Sequence, residues 1–275
     1  FVDPNRIVID SNGSVSIKTA DYFVIAVGTR PYHPEGFEVD GEKILDSDDI
    51  LTIENLPRSL TVVGGGIIGC EYASMFAVLG VKVTLIEARD RMLNFVDREI
   101  VESLKYHMRN LGITLRINEE VLNVSRRKDG QVVTTLKSGK SIVSETVLVS
   151  SGRQGSTDSL NLELLGIETN RYGRIPINEN YQTNIDNIYA VGDVIGSPGL
   201  ASTGMLQGRS AACHAFNIED KTRDIPLPFG IYTIPEISLV GETEDSLTEK
   251  QIPYETGVSR YKEIARGQLI GDDIG

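Results

Sequence analysis

The stretch VVGGGIIGCE, residues 62–71, decides how the rest of the chain is read. Gly64, Gly66 and Gly69 stand in the spacing G-x-G-x-x-G, after the apolar run LTVV and before a helical pattern. Each glycine has its own task in a dinucleotide-binding turn. The first permits the tight turn, the second leaves room for a pyrophosphate against the backbone, and the third lets the helix pack on the strand. The helix that follows offers unpaired N–H groups and a partial positive charge to phosphates. Such a turn usually opens its fold, yet residues 1–63 precede it and look structured.

After the turn, strand and helix alternate. IIGCEYASMFAVLG predicts a helix with apolar residues at 68, 72, 75, 76 and 79 and a stop at Gly80. VKVTLIE is the next strand, and Glu87 closes it about 20 residues after the turn, where a carboxylate accepts hydrogen bonds from an adenosine ribose. Glu87 therefore favours NAD. Arg89 and Arg91 follow at once and could pair with a 2′-phosphate, so NADP stays open. Asp97 can cap a second helix with Ile100, Leu104, His107, Met108 and Leu111 on one face, His107 being read as a packed core residue. ITLRI is a third strand. This βαβαβ run predicts a parallel sheet with right-handed crossovers.

Residues 121–152 then read as a meander, with turns at Asp129-Gly130 and Ser138-Gly139. Its end, VSETVLVSSG, mirrors TADYFVIAVG near the start, which reads as a buried strand ending at Gly28. Each copy has a polar lead-in, an apolar strand, and a glycine followed closely by arginine (Gly28/Arg30 and Gly152/Arg153). The match is an internal repeat: one whole nucleotide-binding domain and the closing part of another. NIYAVGD ends a later strand at Gly192-Asp193, where the carboxyl ends of parallel strands face a ligand crevice. An ordinary turn aspartate is the competing reading of Asp193. Glu71, in the first turns of the helix after the glycine turn, is electrostatically at ease there and equally points toward the reacting end of a bound nicotinamide.

Composition narrows the partners. A net charge of −12 argues against nucleic acid and anionic membranes, both of which need a basic face. No stretch is long and apolar enough for a spanning helix. Cys70 and Cys213 form no metal or C-x-x-C spacing and read as two buried, reduced thiols of a cytoplasmic protein. His33, His107 and His214 form no catalytic constellation, and no metal site is expected.

The turn with Glu71 and Glu87, together with NIYAVGDV (187–194) and YTIPEISLVGETE (232–244), resembles the two-dinucleotide flavoprotein family of glutathione reductase and lipoamide dehydrogenase. VGTRPYHP, DSDDIL, GCEYASMF, RQGSTDSL and YKEIARGQLIG are similar to its soluble transhydrogenase branch. The resemblance implies an α/β fold. An NAD(P)-binding Rossmann-like domain (57–177) is inserted in a partial FAD-binding Rossmann-like domain (1–56 and 178–225), followed by the start of an α+β dimerisation domain (226–275). It further implies that Asp193 holds the FAD ribityl chain, that Leu200 and Ala201 pass near the flavin, and that Gly28 lies against FAD. Glu71 is placed by nicotinamide and flavin, and Val121 and Gly152 line the NAD adenosine and ribose. The implied reaction is a Si-specific transhydrogenation, moving hydride from NADPH to NAD+ through FAD in a homodimer or larger homo-oligomer. Two alternatives stay open: a flavin disulfide oxidoreductase of the lipoamide dehydrogenase type, and a non-catalytic NAD-binding module. The FAD phosphate turn, any redox cysteine pair and the His-Glu pair of disulfide-reducing relatives are expected outside these 275 residues, so this chain alone is expected to be inactive.

Overall fold

A computed structural model describes residues 1–196, 198–220 and 226–271. In chain order the strands and helices are β1 (Arg6–Ser11), β2 (Ser14–Thr19), β3 (Phe23–Ile25), β4 (Thr29–Pro31), β5 (Ile44–Leu45), β6 (Ser59–Val63), α1 (Ile67–Val78), β7 (Lys82–Glu87), α2 (Arg98–Asn110) and β8 (Thr114–Ile117). They continue with β9 (Val121–Arg126), β10 (Val132–Leu136), β11 (Ser141–Ser144), β12 (Thr146–Val149), β13 (Arg153–Gly155), β14 (Ile188–Ala190), α3 (Ala201–Ala215), β15 (Phe229–Ile231), β16 (Ile237–Leu239), α4 (Glu244–Glu249) and α5 (Ala265–Ile270). Two compact units result. One comprises residues 1–35 and 151–229, the other 36–150 and 230–275.

The second unit is built on a five-stranded sheet of order β5-β12-β6-β7-β8, parallel throughout. All four residues of β12, and Leu60 to Val63 of β6, are buried, as a parallel sheet covered on both faces requires. α1 packs on β6 and β7. The antiparallel sheet β11-β10-β9 joins β5, β6 and β12 in one apolar cluster of Ile44, Val63, Val124, Val132, Val147 and Val149. Gly130 and Gly139 turn that meander with φ of 83° and 82°, at the two expected turns.

The buried faces of the helices match the apolar pattern only in part, at Phe76, Leu104 and Met108. α1 buries Gly69, Cys70, Ala73, Ser74 and Phe76, while Met75 is 37% and Leu79 60% exposed. The third glycine of the turn brings the start of this helix close to the sheet, so the residues buried next to it, Cys70, Ala73 and Ser74, are small. α2 buries Val101, Leu104 and Met108, with Ile100 exposed and His107 at the half-buried rim, edge-on to Tyr106. Asp97 occupies the N-cap position of α2, but its side chain caps nothing there. It accepts instead from the Glu244 amide at 2.8 Å.

In the first unit, β1 and β2 form a hairpin, with Asn12 and Gly13 both at positive φ (53° and 84°). β3 pairs in parallel with β14 over an apolar cluster that includes Ile25, Leu162, Ile175 and Ile188. The long buried strand expected up to Gly28 is a three-residue strand, with Val24 46% and Val27 41% exposed. Among the described residues β14 is its one ladder partner, so a single edge is paired. The two repeat copies converge physically: β4 and β13, which follow Gly28 and Gly152, pair with each other antiparallel.

The compact units part at 35/36 and 150/151, whereas the sequence places cuts at 56/57 and 177/178. The expected boundary after residue 225 touches residues 221–225, outside the described set. β5 accounts for the first difference, because Ile44 and Leu45 extend the main sheet beside β12.

Candidate nucleotide-binding site

The glycine turn sits between β6 and α1, and each glycine in it is accounted for separately. Gly64 has φ +112°, and a Cβ there would lie 2.4 Å from the Ser150 carbonyl oxygen. At Gly69 a Cβ would lie 1.9 Å from the Gly64 carbonyl oxygen. Gly66 is different: a Cβ there would meet nothing within 4 Å, and its backbone is ordinary extended chain (φ −78°, ψ −172°). Gly66 is the N-cap of α1 and no side chain caps that end. The first amides of α1 are therefore left without a side-chain cap. Close backbone packing explains the first and third glycines; it does not explain the second, where a side chain would meet open space.

Glu87 closes β7 almost fully buried, its side chain 5% exposed. One carboxylate oxygen accepts from the Gly65 amide at 2.7 Å and from Arg89 Nη2 at 3.0 Å. The other accepts from the Arg89 amide at 2.8 Å and Arg89 Nε at 2.9 Å. Burial pushes the Glu87 carboxyl up, but the Arg89 guanidinium and the Arg89 and Gly65 amides outweigh it and hold it below the usual glutamate range. The guanidinium of Arg89 is half exposed and donates from its outer nitrogen to Asn94 at 3.3 Å. Arg91 is committed elsewhere, to Asp245 at 2.7 Å. Cys70 lies buried under the same turn, with its thiol near the Gly65 carbonyl at 3.5 Å. Burial, then Glu87 and Glu71, push that thiol far up, so it stays protonated and inert. Cys213 is half-buried rather than buried, and both cysteines are free.

These features decide the family. A model described as pyridine nucleotide-disulphide oxidoreductase matches residues 2–208. The chain belongs to the pyridine nucleotide-disulphide oxidoreductase family. It is 53% identical over its whole length to soluble pyridine nucleotide transhydrogenases of Mycobacterium bovis and Mycobacterium tuberculosis, and 46% identical to that of Aliivibrio fischeri. It spans 59% of the length of each of these relatives. Among solved structures it is similar to LpdA from M. tuberculosis (TM-score 0.90, 28% identity, covering 98% of this chain and 59% of that one). It is also similar to the HOCl-induced flavoprotein disulfide reductase RclA from Escherichia coli (TM-score 0.87, 27% identity, covering 99% and 62%). The fold is thus the Rossmann-like α/β fold of this family.

The other predicted site residues fall into two groups. Glu71 and Val121 share the second unit with the turn. Val121 is half-buried at the start of β9, in the apolar cluster that includes Val63 just ahead of Gly64. Glu71 accepts from the Tyr232 amide at 2.7 Å, and three residues on, Ser74 accepts from the Ile234 amide at 3.1 Å. The tail after residue 230 is thereby fastened to α1. Gly28, Gly152, Asp193, Leu200 and Ala201 lie in the first unit. There the Gly152 carbonyl accepts from the Tyr32 amide at 3.0 Å, and the Gly28 carbonyl from the Ser156 amide at 3.1 Å. Gly192 takes φ +75°, and its amide donates to Gln207 of α3 at 2.7 Å. Leu200 is the N-cap of α3 and Ala201 its first residue, and Gly199 lies beside the Asp193 carboxylate.

In this family member three contributors escaped the sequence reading. Ser150 donates to the Val63 carbonyl at 2.9 Å and the Gly64 carbonyl at 3.3 Å, clamping the turn from β12. Gly65 is needed because a Cβ would meet Glu87 and Met92, each at 2.9 Å. Leu93, buried with φ +41°, donates its amide to the Gly65 carbonyl at 3.0 Å. Of these, only Gly65 carries a sequence signal, as the middle one of three consecutive glycines.

Proposed function

We propose that the full-length protein is a soluble pyridine nucleotide transhydrogenase that moves hydride from NADPH to NAD+ with FAD as the carrier. The 53% identity, along the whole of this chain and 59% of the relatives' length, to proteins of that name carries this reading, together with the open space beside Gly66. In this reading residues 57–177 hold the nicotinamide coenzyme, residues 1–56 and 178–225 belong to the FAD-binding part, and the tail from 226 starts a dimerisation domain. The Gly64–Gly69 turn and the α1 N-terminus receive the diphosphate. Glu87 and Arg89 serve the adenosine ribose or its 2′-phosphate, and one site accepts both coenzymes in turn. Val121 and Gly152 border the adenosine.

The first unit fits a flavin in the same manner. Gly192 turns without a side chain, Asp193 supplies an acceptor for a hydroxyl chain, and Leu200 and Ala201 open α3 with an uncapped N-terminus. Bound there, FAD supplies two-electron transfer between the nicotinamides. The chain's own part is distance, orientation and exclusion of water around the exchange. Glu71 stands at the start of α1, on the nicotinamide side, and the Tyr232 amide fixes its carboxylate. The setting is cytoplasmic, where both nicotinamide pools are used.

A disulfide reductase is the second reading, favoured by the likeness to RclA. Stopped-flow absorbance of the full-length protein separates the two. Transhydrogenation predicts flavin bleaching by NADPH and recovery on adding NAD+, without a disulfide substrate. Bleaching that NAD+ does not reverse contradicts it.

A further inference from the structure

Glu87 is already saturated from within the chain. A carboxylate offers about four acceptor sites. Here two go to amides that the fold fixes, Gly65 and Arg89, and two go to the Arg89 guanidinium. The two amide bonds cannot leave without undoing the turn. The two guanidinium bonds can, because that side chain is half exposed and its outer nitrogen is held, among the described residues, by a 3.3 Å bond to Asn94. A ribose diol also brings two donors. To bond Glu87 it must take the places that the guanidinium fills.

We propose that Arg89 is a swinging specificity residue that competes with the unmodified adenosine ribose for Glu87 and, once displaced, pairs with a 2′-phosphate. This rests on the nucleotide-binding reading of the turn. The same residue acts with opposite sign on the two coenzymes. For NAD(H), Arg89 must be moved off Glu87 without a new anionic partner, which lowers apparent affinity as any unfavourable pre-equilibrium does. For NADP(H), the guanidinium exchanges one anion for another and can meet the phosphate through paired N–H groups. A lysine could not match this, since its donors are not arranged in a planar fork.

The test is calorimetric titration of the full-length protein with ADP-ribose and with 2′-phospho-ADP-ribose, which probe the adenosine end alone. In Arg89→Ala, ADP-ribose is expected to bind about two- to fivefold tighter, the scale of a half-exposed ion pair removed as competitor. The 2′-phosphorylated ligand is expected to bind about tenfold weaker or worse, having lost a charged donor. Arg89→Gln keeps the side-chain length without the charge, and is expected to move both affinities in the same directions should the alanine variant fold poorly. Unchanged or weaker ADP-ribose binding in the variants, with the wild type binding both ligands, overturns the competition while leaving the site intact. Failure of the wild type to bind either ligand overturns the nucleotide-binding reading as well.

Discussion

The glycine turn at Gly64–Gly69 and the turn at Gly192 are held in different ways. At Gly64–Gly69 the backbone is enclosed: carbonyls of Ser150 and Gly64 stand where side chains would be at Gly64 and Gly69. A five-stranded sheet lies behind that turn, and Glu87, Ser150 and Leu93 bind its backbone from three directions. At Gly192 the glycine is required by φ alone, since a Cβ there would meet nothing within 4 Å. One side chain, Gln207, fixes its amide. The first turn is shaped by the fold before any ligand arrives, which is the arrangement that spends least affinity on ordering. The second relies on local backbone conformation.

Substitutions should expose this contrast, the largest effect first. Gly69→Ala forces a methyl into the Gly64 carbonyl, backbone against backbone, and is expected to cost about 3 kcal/mol or more. Denaturant unfolding of the second unit reads it, and a loss under about 1 kcal/mol would mean the turn is looser than described. Glu87→Gln keeps the shape but surrenders the charge that holds Arg89 and the Gly65 amide, with an expected loss of about 1–2 kcal/mol. That loss depends on pH. The folded Glu87 carboxyl lies below its ordinary value, so its contribution is complete above the unfolded pKa of about 4.3 and disappears as pH falls through the lower folded value. Wild type and Glu87→Gln should therefore differ in stability at neutral pH and converge in acid. A gap that persists after both have reached their acid plateau would point to packing rather than charge. Gly192→Ala, with space but an unfavourable φ, is expected to cost only about 1 kcal/mol. A cost equal to that of Gly69→Ala would erase the distinction between the two turns.

Much of this was legible in the sequence because local chemistry dictates it. The glycine spacing, the Asn12-Gly13 and Asp129-Gly130 turns, and the apolar runs of β6, β7 and β12 each carry their own signal. The parts that could not be read are those fixed by distant partners. β5 has two residues and β4 and β13 three each, too short for any period to show. The bond from the Tyr232 amide to Glu71 spans 161 residues. The buried face of α1 follows from how closely Gly69 brings the helix to the sheet, so its small residues lie inward and Met75 and Leu79 outward. The bond between Glu87 and Arg89 is of the same kind: the sequence sets the two residues two apart, and only the fold shows that their side chains pair.

The most direct test of the central claim is Gly66→Ala, because at this position folding and binding make different demands. A methyl there meets open space in an allowed conformation, so the melting temperature should hardly move, at a cost of about 0.5 kcal/mol for a poorer helix cap. The same methyl would occupy the space assigned to the diphosphate. Calorimetry with NADH and NADPH should show binding by the wild type and at least about tenfold weaker binding of both by the variant, a difference of roughly 1.4 kcal/mol. A well-folded Gly66→Ala protein that binds both coenzymes as tightly as the wild type would contradict the assignment of this turn.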